Sequence, residues 1–434
     1  MTTASDSPNH SSLEGTSNLA ADRWAEMEFV QSDLYKEFVW FCQKFCAPAV
    51  PLNYFNIPYT RFEKDPPLRG YFPIVFQSYI QGEGGRVNLS NHFMNIQLPF
   101  ILELLISVLY YDNQIFDKKY GVVDNATISE NLVRRNRLYD GLLRYARKNI
   151  KDKEISDELT DLIQEMHEMV SMGQEWERKY NHYDSWKSPK PMDAEAYFKL
   201  SGRKIDLALV RDVRKVVESA HPIPMGQNQF LDAYLSRIYL TNASLFSKTA
   251  EFVLRHTNLQ EEAKENLLHF SGVFGMLLQI VNDNADFVPA SEGLTTSAKM
   301  SNDALSDLRN QNITLPIALH LIRSGDGGQV AVFLKSGGDP AVCLEDEVYS
   351  KELAASYAIY YSMRIGKDLE KDALALLSRE NPAYENFKNM TGVAGNNRFY
   401  RYFYDLKEDE DGKKGSYYKR YKKSKKSPPH DSIG

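Results

Sequence analysis

Three cysteines in 434 residues, Cys42, Cys46 and Cys343, are too few for a disulfide framework. Cys42 and Cys46 stand i,i+4 beside Trp40, Phe41 and Phe45, which suits a core helix better than a metal site, and the expected compartment is the reducing cytoplasm. An excess of one charge is missing too. The chain sets 52 Lys and Arg against 58 Asp and Glu, a net charge of -6, and this balance speaks against bulk nucleic-acid binding. No apolar run reaches the ~18 residues that cross a bilayer, since residues 98–111 are interrupted by Glu103 and Ser107, so no stable membrane insertion is expected. The first ~20 residues have neither the apolar stretch of a signal peptide nor the arginines of a transit peptide. Gly325, Gly327, Gly328, Gly337 and Gly338 lack the context of a phosphate loop and read as turns. His182 and His221 have no His, Cys or Asp partner at metal spacing.

What remains is mostly helical pattern, and no segment alternates long enough to argue for a sheet. The expected fold is an all-α bundle. The chain divides into a disordered leader (1–22), one helical domain (23–406) and a basic disordered tail (407–434) containing Lys419, Arg420 and Lys422. Pro48, Pro51, Pro58, Pro66, Pro67 and Pro73 predict an extended, aromatic connector after a first helix over 24–45. Residues 180–229 read as an inserted helical excursion.

One stretch organises the rest. In Gln279-Ile280-Val281-Asn282-Asp283-Asn284-Ala285-Asp286 an apolar helix ends in amides and carboxylates, and Gln279 with Asp283, or Asp283 with Asp286, share a face at i,i+4 and i,i+3 spacing. Oxygen ligands so grouped suit a hard dication such as Mg²⁺, whose shell substrate phosphates complete.

Downstream stand Lys299 and then Asp307-Leu308-Arg309-Asn310, with Thr314-Leu315-Pro316 beyond. Together with Gly272, Gly275 and Gln279 these residues resemble the second aspartate-rich region of trans-isoprenyl diphosphate synthases and of class I terpene synthases, a resemblance that spans roughly residues 82–321. It implies a bundle around a deep apolar cavity, Mg²⁺ as cofactor, and an allylic prenyl diphosphate as substrate. Asp283 and Asp286 would be metal ligands, with Asn282 and Gln279 in support and Lys299 and Arg309 on the diphosphate. Glu103-Leu104-Leu105 places Asn113-Gln114-Ile115-Phe116-Asp117 on the first aspartate-rich motif, where Asp117 keeps the third acidic place. Asp112 lies about 140° around an ideal helix from Asp117, so the two could share a metal only if a π-bulge distorts that helix.

The departures bear on the reaction. Gly84-Gly85-Arg86 stands where the family binds the diphosphate of isopentenyl diphosphate, with Val87 in place of the second basic residue. The family's Lys-Thr-Ala lysine has become Thr241, and Lys248, two turns along the same face, is the candidate replacement. The arginine pair after the first motif is absent. The resulting expectation is an enzyme that ionises an allylic diphosphate such as geranyl diphosphate and passes the cation to a small-molecule acceptor other than isopentenyl diphosphate, such as an amino-acid amine. A terpene cyclase and a non-catalytic subunit are the alternatives, and assembly as a homodimer is left open.

Overall fold

The computed structural model describes residues 68–117, 125–180, 207–220, 228–285, 308, 311–324, 327–336, 352–353 and 358–394. The expected first helix, the proline-rich connector up to residue 67, most of the excursion and the basic tail lie outside the described residues.

A helix start leaves backbone N–H groups without partners, and side chains supply them here. Ser90 Oγ accepts from the Phe93 N–H at 3.1 Å, ahead of α2 (Leu98–Asp117). Asp152 Oδ1 accepts from the Ile155 N–H at 3.2 Å and caps α4 (Lys153–Tyr180). The start of α1 (Leu68–Gly82) is capped from a distance: buried Glu103, on α2, accepts from the Gly70 N–H at 2.7 Å and sets a carboxylate against the positive end of the helix. Pro73 departs from its expected role, because it lies inside α1. Its missing N–H costs the bond to the Arg69 carbonyl one turn back, a loss that the buried face of α1 offsets.

After α2 come α3 (Asn125–Asn149), α4, α5 (Leu207–Ala220), α6 (Asn228–Ile238), a π-helical turn (Tyr239–Ala243), α7 (Ser244–Arg255) and α8 (Glu261–Ala285). Then follow α9 (Leu315–Ser324), α10 (Gln329–Lys335), α11 (Ala358–Ala375) and α12 (Tyr384–Ala394). The only β pairing among the described residues is one bridge, Val87 with Thr257.

Two contacts fix the direction of the central helices. His256, just past α7, meets Glu158 near the start of α4 at 3.1 Å, while Arg237 near the end of α6 meets Glu177 near the end of α4 at 2.7 Å. α4 is therefore antiparallel to the α6–α7 rod, which in turn is antiparallel to α8. Contacts of Asp112 with His167 and of Asn113 with Gln174 set α2 alongside α4 in the same direction. The C-terminal ends of α2, α4 and α8 thus share one end of the bundle.

The interior is aromatic. Phe72 and Phe246 have ring centroids 5.1 Å apart, Phe246 and Phe274 5.0 Å, and Phe270 and Phe387 4.7 Å. A narrow pocket between α1, α2 and α7 is lined by Arg69, Phe72, Leu105, Ile106, Leu245 and Thr249, among others. The helical stretch Phe93–Asn113 is long and apolar enough to cross a bilayer, against the expectation drawn from Glu103 and Ser107. It is a buried core helix: Glu103 is spent on capping α1, and Ser107 Oγ donates to the Glu103 carbonyl at 3.0 Å.

Candidate functional site

The last turn of α8 brings Gln279 and Asp283 together as their spacing predicts, with Gln279 Nε2 donating to Asp283 Oδ1 at 2.7 Å. Consecutive residues diverge there. Asn282 is exposed, whereas Asp283 is 1% exposed and turned toward α6. Its Oδ2 accepts from Tyr234 Oη at 2.7 Å and from Arg237 Nη2 at 3.2 Å. Arg237 also donates through Nη1 to Glu177 on α4 at 2.7 Å and lies 5.1 Å from the centroid of the Tyr234 ring. Buried carboxylates persist when paired and hydrogen-bonded, and Asp283 is both. Asp286 lies outside the described residues.

On α2 the helix remains α-helical through Asp117, so the distortion that would let Asp112 join Asp117 is not there. Asp112 points to α3 and α4 instead: Arg135 Nε donates to its Oδ1 at 2.9 Å, and His167 Nε2 is 3.3 Å from Oδ2. Asp112 is accordingly withdrawn from the shared face. Asn113 is exposed and accepts from Gln174 Nε2, while Gln174 Oε1 is buried with no hydrogen-bond partner among the described residues. The side chain of Asp117 is not among those described. A polar belt therefore crosses this end of the bundle, from Asn113 to Gln174, and one turn on from Glu177 through Arg237 to Asp283.

π-helical turns occur instead at Phe93–Gln97, ahead of α2, and at Tyr239–Ala243, around Thr241. Thr241 Oγ1 donates to the Arg237 carbonyl at 3.0 Å, and a Cβ on Gly173 would stand 2.6 Å from Thr241 Cγ2, so glycine lets α4 lie directly against the π turn. Lys248 is not presented to the belt. Its ammonium lies 2.9 Å from both Glu165 and Glu251, and although burial opposes its charge, these carboxylates raise its pKa. Arg86 is also misplaced for diphosphate binding at the belt. Its backbone pairs with Asn258 ahead of α8, at the opposite end of a 25-residue helix, about 30 Å from Asp283 at 1.5 Å rise per residue. Lys299 and Arg309 lie outside the described residues.

Arg237 and His167 are the site residues that sequence reasoning missed. A signal existed for Arg237: it is the one cation in α6 and stands one turn before Thr241.

The described donors do not fit Mg²⁺. The dication takes oxygen ligands in near-octahedral geometry at 2.0–2.1 Å. Both Asp283 oxygens already accept from three donors, the Asp112 carboxylate is held by Arg135, and Asn113 and Asn282 offer neutral amides. Among the described residues no group of three or more His, Cys, Asp or Glu could hold a metal ion.

No protein-family model matches the chain, and no curated protein sequence matches it. Solved structures do. A polyprenyl synthase from Caulobacter crescentus CB15, complexed with calcium and isoprenyl diphosphate, superposes with a TM-score of 0.58 at 14% identity over 87% of this chain and 96% of that one. A geranylgeranyl pyrophosphate synthase from Lactobacillus brevis gives 0.56 at 14% identity over 86% and 98%. A heptaprenyl diphosphate synthase from Staphylococcus aureus gives 0.52 at 15% identity over 84% and 98%. The fold is that of the isoprenyl diphosphate synthases, all-α as the sequence indicates.

Proposed function

We propose that the chain binds an allylic prenyl diphosphate at the belt end of the bundle and transfers its prenyl group to a small-molecule acceptor other than isopentenyl diphosphate, an amino-acid amine being the favoured class. The observation that carries this reading is the convergence of the polar ends of α2, α4 and α8 at one end of an apolar bundle, while Arg86 stands at the other. One diphosphate with its tail among apolar walls suits that arrangement. A second diphosphate, as chain elongation needs, would find no cluster of unpaired cations among the described residues of the belt. Diphosphate contacts fall to Lys299 and Arg309, and further acidic ligands to Asp117 and Asp286. Fixed charges and dipoles around the departing diphosphate would stabilise the charge that develops on ionisation.

The test is incubation of the full chain with geranyl or farnesyl diphosphate, with and without Mg²⁺ and candidate amines, read by mass spectrometry and by pyrophosphate release. Release that requires the amine, together with a prenylated adduct, supports transfer. Hydrocarbon formed without an amine points to a cyclase. A second reading has its own support: Asp112 and Asp283 are both neutralised internally, as expected of a subunit that keeps the fold without the chemistry. Absence of pyrophosphate release from every allylic diphosphate, with stable association to an active synthase, would establish it.

A further inference from the structure

We propose that Arg237 is the resident cation of the α8 acidic motif: a permanent guanidinium that holds Asp283 and keeps it from ligating a divalent metal. The sequence resemblance implies Mg²⁺ on Asp283, and the geometry assigns that carboxylate another partner. A buried carboxylate calls for a compensating charge, so a cation is expected at this place. Arg237 supplies it. Its two terminal nitrogens divide between Asp283 on α8 and Glu177 on α4, its side chain is 7% exposed, and its plane lies over the Tyr234 ring whose hydroxyl serves the same Asp283 oxygen. A guanidinium does not lose its proton at any physiological pH, so the charge is fixed.

Exclusion follows from distance. Asp283 Oδ2 is 3.2 Å from Arg237 Nη2, and a metal bound to that oxygen at 2.0–2.1 Å would stand at most about 5 Å from the same nitrogen. Two cations so close in a buried site repel strongly. The metal would also have to displace Tyr234 and Arg237 from Oδ2, or Gln279 from Oδ1, leaving buried donors without acceptors. The remaining approach, through exposed Asn282, offers a neutral amide.

This inference stands independently of prenyl transfer, because its test needs no substrate. Mn²⁺, as a paramagnetic stand-in for Mg²⁺, is titrated into the full-length protein and its Asp283→Asn, Arg237→Gln and Arg237→Lys variants and read by electron paramagnetic resonance. Wild type and Asp283→Asn are expected to bind Mn²⁺ alike, any binding coming from carboxylates elsewhere in the chain. Arg237→Gln is expected to gain affinity about 10- to 100-fold, the range over which neighbours of a ligand tune metal sites, and to lose the gain when Asp283→Asn is added. Arg237→Lys, which keeps the charge, should not gain it. A tenfold loss of Mn²⁺ affinity in Asp283→Asn alone overturns the proposal, and so does a folded Arg237→Gln that gains nothing. Should Arg237→Gln fail to fold, the comparison of wild type with Asp283→Asn decides by itself.

Discussion

The packing around α8 can be tested by two glycine-to-alanine changes, at its contacts with the π turn and with α11, that should act in opposite directions. Alanine is a better helix residue than glycine by about 1 kcal/mol, so each change begins with that gain. At Gly275 the new Cβ would stand 2.5 Å from the Ala243 Cα and 2.9 Å from Phe246 Cδ2, whereas carbons in contact sit about 3.5–4.0 Å apart. One of the crowded atoms is backbone, so the π turn must withdraw by about 1 Å or α8 must tilt. Overpacking of this kind costs about 1–3 kcal/mol, and the rigid neighbour puts Gly275→Ala toward the upper end, for a net loss of about 1–2 kcal/mol. The shift also strains the bond of 2.7 Å from Asn242 Nδ2 to the Gly275 carbonyl, and through Asn242 the bond of 3.0 Å from Arg69. At Gly366 in α11 the nearest atom to the new Cβ would be Leu277 Cδ1 at 3.6 Å, an ordinary contact. Gly366→Ala should therefore keep most of its gain and stabilise the protein by about 0.5–1 kcal/mol. Urea unfolding followed by circular dichroism reads both values. If Gly275→Ala were as stabilising as Gly366→Ala, the close approach of the π turn to α8 would be refuted.

Further outcomes follow from the titrating groups. His320 is buried and its pKa is lowered by that burial, only partly countered by Glu352 at 2.8 Å. The folded state then binds fewer protons than the unfolded one just below the ordinary histidine pKa, so stability should fall as pH drops from about 7.5 to 5, and His320→Gln should flatten that fall in urea titrations. Lys248 is already held by Glu165 and Glu251, so Lys248→Met should leave the affinity for inorganic pyrophosphate within about twofold by calorimetry and cost about 1 kcal/mol or less of stability; a tenfold loss of affinity would return Lys248 to the diphosphate site. The Tyr79 hydroxyl accepts from the Ser378 N–H at 2.6 Å, and burial is the chief reason that its pKa is pushed up to about 12. Tyr79→Phe should cost about 1–2 kcal/mol for the amide left unpaired, and the ultraviolet difference spectrum that reports phenolate at about pH 10 should be unchanged by the substitution.

What could be read from the chain was local, and what could not was the pairing of distant segments. The shared face of Gln279 and Asp283 depends only on helical spacing, and the structure joins them by a hydrogen bond. The exclusion of Asp112 from the face of Asp117 rests on the same geometry, and it holds because α2 is regular there. Arg86 shows the opposite case. Gly84-Gly85-Arg86 reads by itself only as a break, and diphosphate binding there is implied by the resemblance alone, whereas the turn pairs with residues 256–258, at the far end of α8 from Asp283. Glu103 makes residues 93–113 look interrupted in the sequence although they are long and apolar enough to cross a bilayer, and the partner that makes Glu103 tolerable in the core is a backbone amide 33 residues away.

The electrostatics of the belt give these differences a common cause. A helix end that buries a carboxylate needs a compensating cation, and here the cation comes from another segment that the fold brings near. Arg237 is 46 residues from Asp283 in sequence, but it lies one turn above Thr241, where the sequence resemblance would place a lysine. A cation displaced by one turn along α6 moves about 5 Å toward the C-terminal end of α8. There it meets Asp283 directly, whereas Thr241 lies against Gly173 of α4. The cation at 237 is thus one that holds the protein together. A chain carrying both Thr241→Lys and Arg237→Gln should then bind inorganic pyrophosphate in the presence of Mg²⁺ more tightly than wild type, by about tenfold or more if the freed Asp283 again serves a metal. Calorimetry that finds no gain in that double variant, with its helical content intact, would mean that the two positions are electrostatically independent.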